Sequence, residues 1–498
     1  MPSCVKRSNK PTVTEFISNN ATIVWKYEQG PFDVPEVREA IDKAMQRRGL
    51  AQHIDFQKME VAPILGTSKP LDISGADIIS MPANDAINGL RRFTVDYARK
   101  GYFCRWDDFL LTEEGKMLVD ALPDNYWKGC FIDGSCYGLV NYSPQRRRYA
   151  VFNKRLLVKY NLMNAVKTSM PMSFTSIMAM VKQVKAGEEA SGNSDLLPFS
   201  LPYFSFYQDI LSIMGCDGLG VRKESGKWIV RLLLDFPEFH DYLSEKNQNY
   251  QAGLFTGGRT AMIDGNFFML LVSSYSEEAA IRSARKLTRN QMAYPDGEYG
   301  EPEEAYGIAE EECVAIKLDG LWDEAYRGHG NYTVVSEASS YKENCLQILK
   351  EVYTDPELTE LFMYGVDGIS YKTVGGLPAL FGTNYQHRYG NVFLARPTTE
   401  DSPDKIDQYE DYFSEPVHAL CGFHFREDDV SQEMLDVTRL YVEHLNFYRG
   451  YSSNMKDEEK IIREELAQAG VNRLIEEMQK QISDFFDQPL LTKEGSTA

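Results

Sequence analysis

The sequence predicts an α/β protein of more than one domain, and three observations predict it. A strand–helix–strand pattern with short turns runs from residue 22 to residue 81. The 498 residues, 43% of them hydrophobic, suffice for two or three domains with a core in each. The C-terminal part carries apolar residues at helical spacing.

Each element has a local reason. Thr22–Tyr27 is rich in β-branched and aromatic residues and reads as a buried strand. Asp33 and Glu36 form a capping box, after which Val34, Val37, Ile41 and Met45 recur on one helical face until Gly49. A second strand at 77–81 completes a parallel unit, whose ligand contacts belong on loops beyond the strands' carboxyl ends, here beginning at Glu28 and at 82–85. Residues 127–140 read as two strands around the Asp133-Gly134 turn. Strand 149–153 leads into a helix at 154–160, and 173–184 is amphipathic. Residues 185–194 and the acidic 298–312 read as solvated loops. A strand at 332–335 precedes a helix capped by Ser340 and Glu343. Met434, Val437, Tyr441 and Leu445 share a later helical face, and Gly470 separates it from a last helix through Phe485.

Composition excludes several functions. With 73 acidic against 53 basic residues the formal net charge is −20, which argues against nucleic acid as a partner. The longest apolar run worth noting, 267–272, is far short of the roughly 20 residues a spanning helix needs. The eight cysteines form no C-x-x-C pair and read as buried thiols, Cys130 and Cys136 flanking one turn. Gly226-Lys227 is followed by Trp228, so there is no phosphate-binding loop, and neither a G-x-S-x-G elbow nor an H-E-x-x-H helix occurs. His418, Cys421 and His424 have zinc-like side chains, but the alternation with Phe423 and Phe425 favours a structural segment. No metal or cofactor is therefore expected. Paired carboxylates of a glycoside-cleaving enzyme leave no local mark and stay open as an alternative.

Aromatic residues make up 12% of the chain, and many fall where loops are expected. Trp25 and Tyr27 end the first strand, and Tyr203, Phe204, Phe206 and Tyr207 follow Pro202. Such rings pack on the C–H face of a sugar while polar side chains bond its hydroxyls, although a core role is the plainer reading of any single ring.

Several motifs together resemble the extracellular solute-binding proteins of bacterial ABC importers, in the branch of large oligosaccharide-binding lipoproteins. Ala76-Asp77-Ile78-Ile79 with Asn84-Asp85, Asp133-Gly134 with Tyr137-Gly138, and Val151-Phe152-Asn153-Lys154 carry the likeness in the first half. Phe255, Gly258, Arg259, Ala261 and Met262 resemble a second signature, with Arg259 in place of lysine. Tyr353-Thr354-Asp355-Pro356-Glu357-Leu358, then Tyr364-Gly365-Val366-Asp367-Gly368 and Tyr371, resemble the most specific one. Their order and spacing cover nearly all of 21–486.

The resemblance implies a two-lobed α/β fold of the type II periplasmic-binding-protein kind, with a hinge and an extended helical C-terminal region. It implies a polar tether at 1–20, an N-terminal lobe of 21–145 with 258–300, and a C-terminal lobe of 146–257 with 301–498. The chain would cross near 141–148, near 253–258 and after about Tyr299. Function would be capture of an oligosaccharide between the lobes and delivery to the transmembrane permease subunits, by a monomer without catalysis. Lipid on Cys4, ahead of the polar segment 6–14, would hold the protein at the outer face of the membrane, although Met1-Pro2-Ser3 departs from the usual lipidation sequence. Loop positions nominate the ligand residues. Stacking falls to Trp25, Tyr27, Trp106, Tyr142, Tyr149, Tyr203, Phe204, Tyr207 and Phe267, and hydroxyl contacts to Asn84, Asp85, Arg148 and Asn266. The run Arg146-Arg147-Arg148 reads as a solvated charge run; beside a hinge it would favour an anionic sugar. A secreted carbohydrate-active enzyme and a sensor or adhesion module are the competing readings.

Overall fold

A computed structural model describes residues 21–50, 52–60, 71–81, 93–142, 147–168, 173–200, 211–213, 216–254, 265–274, 276–288, 307–318, 330–386, 388–399, 401, 405–414, 420 and 423–487. The chain opens with strands β1 (Thr22–Tyr27), β2 (His53–Lys58) and β3 (Ile78–Ser80). β1 pairs in parallel with both of the others. Its alternation buries Ile23, Trp25 and Tyr27 on one face. Helix Pro35–Arg47 crosses from β1 to β2 and buries Val37, Ile41, Ala44 and Met45. Its cap position is Val34, with Pro35 in the first turn and no side-chain cap. The capping box expected at Asp33 is not used, because that carboxylate accepts bonds from the Tyr27 hydroxyl and from Lys58 instead.

A short hairpin follows, β4 (Phe131–Ile132) and β5 (Ser135–Cys136). Asp133 and Gly134 take φ of 49° and 82°, the left-handed pair that a two-residue hairpin turn needs. The strand expected to begin at 127 starts later, since Asp124–Trp127 is helical. β6 (Gly138–Tyr142) ends this stretch.

The chain then builds β7 (Arg147–Asn153), β8 (Leu197–Ser200), β9 (Leu211–Ile213), β10 (Cys216–Glu224), β11 (Lys227–Leu232), β12 (Phe267–Ser274) and β13 (Cys313–Lys317). β7, β8, β12 and β13 form one sheet in the order β13-β7-β12-β8, and β11-β10-β9 form another. Helix Phe174–Ala190 starts at the Ser173 side-chain cap and continues to 190, so the loop expected from 185 is helical over its first half.

β14 (Gly330–Val335) enters the first sheet, whose order is β2-β1-β3-β14-β6. β15 (Tyr371–Val374) and β16 (Leu377–Leu380) make a separate hairpin. Two compact units result. The described residues of 21–81, 93–142 and 330–420 form the first, and those of 147–318 and 423–487 the second.

This division corrects the expected one at two places. Residues 258–300 are expected in the N-terminal lobe, yet β12 pairs with β7 and β8, which holds the described part of that stretch in the second unit. Residues 330–420 were assigned to the C-terminal lobe, yet β14 pairs with β3 and β6, which holds them in the first. Among the described residues the chain passes to the second unit between Tyr142 and Arg147, stays in it on both sides of 253–258, returns between β13 and β14, and crosses again between Leu420 and Phe423.

The signature around Tyr353 now has a physical reading. Helices Lys342–Thr354 and Pro356–Tyr364 meet at Asp355, whose carboxylate accepts the Leu358 amide at 3.0 Å while Pro356 fills the first turn. Gly365 stops the second helix at φ 81°, and a Cβ there would sit 2.3 Å from Ser370 Oγ. In the second unit, helix Ser431–Glu443 lies against β10 and helix Val471–Asp487 against β11. Gln479 accepts the Val230 amide and donates to the Trp228 carbonyl, and Phe486 stacks on Trp228 at 5.0 Å. The helical C-terminal region is thus the cover of a three-stranded sheet. The apolar face read from Met434 to Leu445 is interrupted, since a new short helix starts after His444.

Candidate functional site

The carboxyl ends of β1, β2, β3 and β6 share one edge of the first unit's sheet, where an α/β sheet places its ligand contacts. Glu28 follows β1 directly, and its carboxylate accepts a bond from the Arg388 guanidinium at 2.9 Å. Side-chain exposures of 17% and 19% leave this pair mostly covered but still open to solvent. Lys58, which ends β2, pairs with Asp33 at 2.7 Å, with more than half of each side chain exposed. Hydrogen bonds from Lys58 and Tyr27 hold the Asp33 carboxyl below its ordinary range. Burial and then the Asp33 carboxylate push the Tyr27 phenol up.

The segment carrying Arg388 is fixed from several sides. Asn141, near the end of β6, donates to the Arg388 carbonyl and accepts from the buried Tyr353 hydroxyl at 2.7 Å. The Tyr389 hydroxyl donates to the Gln29 carbonyl at 2.6 Å, and the Arg388 amide to the Tyr385 carbonyl at 2.8 Å. Gln386 accepts from Lys405, which is also paired with Asp401. Asn391 donates to the carbonyls of Ala121 and Tyr353. Behind this segment, a cavity of about 20 Å³, close to one water's space, is lined by Asn141, Gln386 and Asn391 among others. Buried polar atoms with partners of this quality define one conformation.

The residues nominated from sequence fall into four groups. Trp25, Tyr27, Trp106, Tyr149 and Phe267 are buried to 4% exposure or less. Trp25 packs against Phe56, Phe362 and Tyr389, and its indole donates to Ser80 at 2.9 Å. Tyr27 meets Phe32 edge to face, and Tyr149 and Phe267 lie in the second unit's core. Among the described residues these rings are covered, Trp25, Tyr27, Tyr149 and Phe267 from within strands and Trp106 just before helix Asp107–Leu110, so their stacking assignment is corrected to a core role. Tyr142 ends β6 opposite Gly330, and Arg148 lies in β7 opposite Ser273. Asn84, Asp85, Tyr203, Phe204, Tyr207 and Cys4 lie outside the described residues, as do the Phe255–Met262 signature, His418 and Cys421. Sequence reasoning missed Glu28 as a side chain, although its place after β1 marked it. It had no signal for Arg388, which is 360 positions away in irregular chain.

Asn266, expected to bond a hydroxyl, exchanges reciprocal amide bonds with Asn193 at 3.0 and 3.1 Å. Asn193 in turn donates to Glu188, which also accepts from Lys159 at 2.6 Å and the Tyr160 hydroxyl at 2.8 Å. Against a burial that pushes it up, these bonds bring the Glu188 carboxyl down to about 2. A folded pKa below the unfolded one adds stability that is complete above about pH 4.3 and lost as pH falls toward 2. Glu188→Gln is expected to cost about 2 kcal/mol at neutral pH, and to flatten the acid limb of the stability curve between those values. Urea unfolding at stepped pH measures both.

The five described free cysteines include Cys130 and Cys136, and burial pushes the Cys136 thiol up to about 12, a structural thiol rather than a reactive one. Among the described residues no group of His, Cys, Asp and Glu has the arrangement to hold a metal ion, and no helix is long and apolar enough to cross a membrane.

Comparison with known proteins agrees with this architecture. Residues 419–487, the helical cover of the second unit, match a domain of unknown function, DUF3502. A carbohydrate ABC transporter substrate-binding protein of Streptococcus pneumoniae serotype 4 is 22% identical over 407 residues, covering 78% of this chain and 77% of that one. The N-glycan transport solute-binding protein NgtS of Streptococcus pneumoniae aligns with a TM-score of 0.66 at 17% identity, over 93% of this chain and 99% of that one. Its complex with Man1GlcNAc gives 0.61 at 18%, over 94% and 100%. FusA of S. pneumoniae in complex with kestose gives 0.54 at 14%, over 94% and 99%. The chain therefore has the solute-binding-protein fold and resembles carbohydrate ABC substrate-binding proteins along most of its length.

Proposed function

We propose that this chain, a solute-binding-protein fold with carbohydrate-importer likeness, is the substrate-binding component of an ABC importer and captures an oligosaccharide. The observation that carries the reading is sequence similarity to a carbohydrate substrate-binding protein over 78% of the chain, joined to a whole-chain fold match. The carboxyl edge of the first unit supports it with paired charged side chains at the ends of its strands. Hydrogen bonding to neutral and charged side chains is how a polyol is held without being broken.

The relative is a binding protein rather than an enzyme, and the competing carbohydrate-active enzyme has no comparable support. Binding without catalysis is accordingly part of the proposal. So are work outside the cytoplasm, transfer of the ligand to transmembrane permease subunits, and a monomeric state. Attachment through Cys4 belongs to the same reading and rests on the polar segment that follows it. Lipid labelling of the chain and of a Cys4→Ser variant tests that point, with label expected only on the former.

Thermal melting against a panel of neutral and acidic oligosaccharides tests the function. A ligand held at 100 times its Kd is expected to add about 2.7 kcal/mol to the stability of the unit that binds it. A panel without a shift at saturating concentrations contradicts the reading.

A further inference from the structure

The Glu28–Arg388 pair has chemistry to spare. A guanidinium carries five N–H donors and a carboxylate two acceptor oxygens. Among the described residues the pair uses one bond, from an Arg388 terminal nitrogen to Glu28 Oε2. The Arg388 backbone is held by Asn141 and Tyr385, and the neighbouring Tyr389 by Gln29, so the guanidinium is carried on a rigid segment. Glu28 is equally constrained, since it leaves the end of β1 next to the Gln29 carbonyl that Tyr389 grips.

Two adjacent hydroxyls of a sugar ring are the natural complement. One donates to the unused carboxylate oxygen, and its neighbour accepts from the unused guanidinium N–H. Because the two protein groups neutralise each other, this position gains nothing from a charged sugar. The chain's net charge of −20 adds a field that disfavours anions.

We infer that Glu28 and Arg388 form a subsite for neighbouring hydroxyls and set a preference for neutral over uronate-containing oligosaccharides. This rests on the oligosaccharide-binding reading above and deepens it. The Arg146–Arg148 run, which beside a hinge would favour an anionic sugar, predicts the opposite preference, and the acidic probe below separates the two.

The test is calorimetric titration of the full chain and of Glu28→Gln and Arg388→Lys. The probes are neutral Man5GlcNAc and kestose and an acidic alginate trisaccharide. Both variants are expected to melt below the wild type, since disturbing a pair this covered leaves its charges less well matched, so affinities are compared at a temperature where each protein is folded. Each is expected to weaken the neutral probe that binds by about tenfold, one charge-assisted hydrogen bond. Glu28→Gln is further expected to improve the ratio of acidic to neutral affinity, because it leaves Arg388 unneutralised; a merely structural role would not move that ratio. Neutral-probe affinities unchanged in both variants, or a wild type that prefers the alginate trisaccharide, would overturn the subsite and leave oligosaccharide binding intact. A wild type that binds none of the probes nor any other glycan overturns both.

Discussion

Trp25→Ala is expected to destabilise the first unit by about 3–5 kcal/mol, the range for deleting a fully buried large ring. The ring is 1% exposed and lies among Phe56, Phe362 and Tyr389, with Ser80 accepting its indole N–H. Truncation removes those contacts and leaves a cavity whose walls belong to three separate stretches of chain, which limits how far it can collapse. Trp25→Phe keeps most of the apolar volume and loses the bond to Ser80, so its cost is expected to be about half as large. Calorimetric unfolding of the three proteins measures the order. Glycan affinity at a temperature where each is folded is expected to change little. A Trp25→Ala protein of native stability that no longer binds glycan would instead make the ring a stacking platform.

Lys246→Met is expected to stabilise the second unit. The side chain lies in helix Pro237–Gln251 with 4% exposure, its amine over the rings of Tyr242 and Tyr451 and no carboxylate paired with it among the described residues. Burial, and then the nearby positive charge of Arg449, bring its pKa from 10.5 down to about 8. In the folded state the charged form is held at a cost on the order of 3 kcal/mol, which the two cation–π contacts only partly offset. The unfolded chain therefore binds the extra proton between about pH 8 and 10.5, and stability contributed by this site rises with pH across that window. Methionine fills similar volume without the charge. The variant is expected to gain about 1–3 kcal/mol at pH 7 and to lose the alkaline rise. Urea unfolding from pH 7 to 10.5 reads both, and a destabilised variant with an unchanged alkaline rise would contradict the assignment.

Much of the fold is local enough to be read from sequence. β1 and the helix after it follow from the alternation of Ile23, Trp25 and Tyr27 and from the spacing of Val37, Ile41 and Met45. The Asp133-Gly134 turn and the Asp355-Pro356 helix junction follow from backbone preferences that few other residues satisfy. What failed depended on partners far along the chain. Alternation showed that Trp25 and Tyr27 share a face, but Phe362 and Tyr389, more than 330 positions later, decide that this face is covered. β12, expected in the N-terminal lobe, lies in the second unit because its pairing with β7 and β8 is a matter of non-local register. Asp33 had the spacing of a cap, yet Tyr27 and Lys58 compete for its carboxylate and win. Arg388 is tied to Asn141 and Glu28, neither of which is near it in sequence.

The most direct measurement is titration of the purified chain with an oligosaccharide that shifts its melting, followed by mass analysis of the same sugar after prolonged incubation. One intact sugar recovered per chain, at unchanged mass, is the predicted result. Shortened sugar, or heat that never saturates at any concentration, would contradict the account.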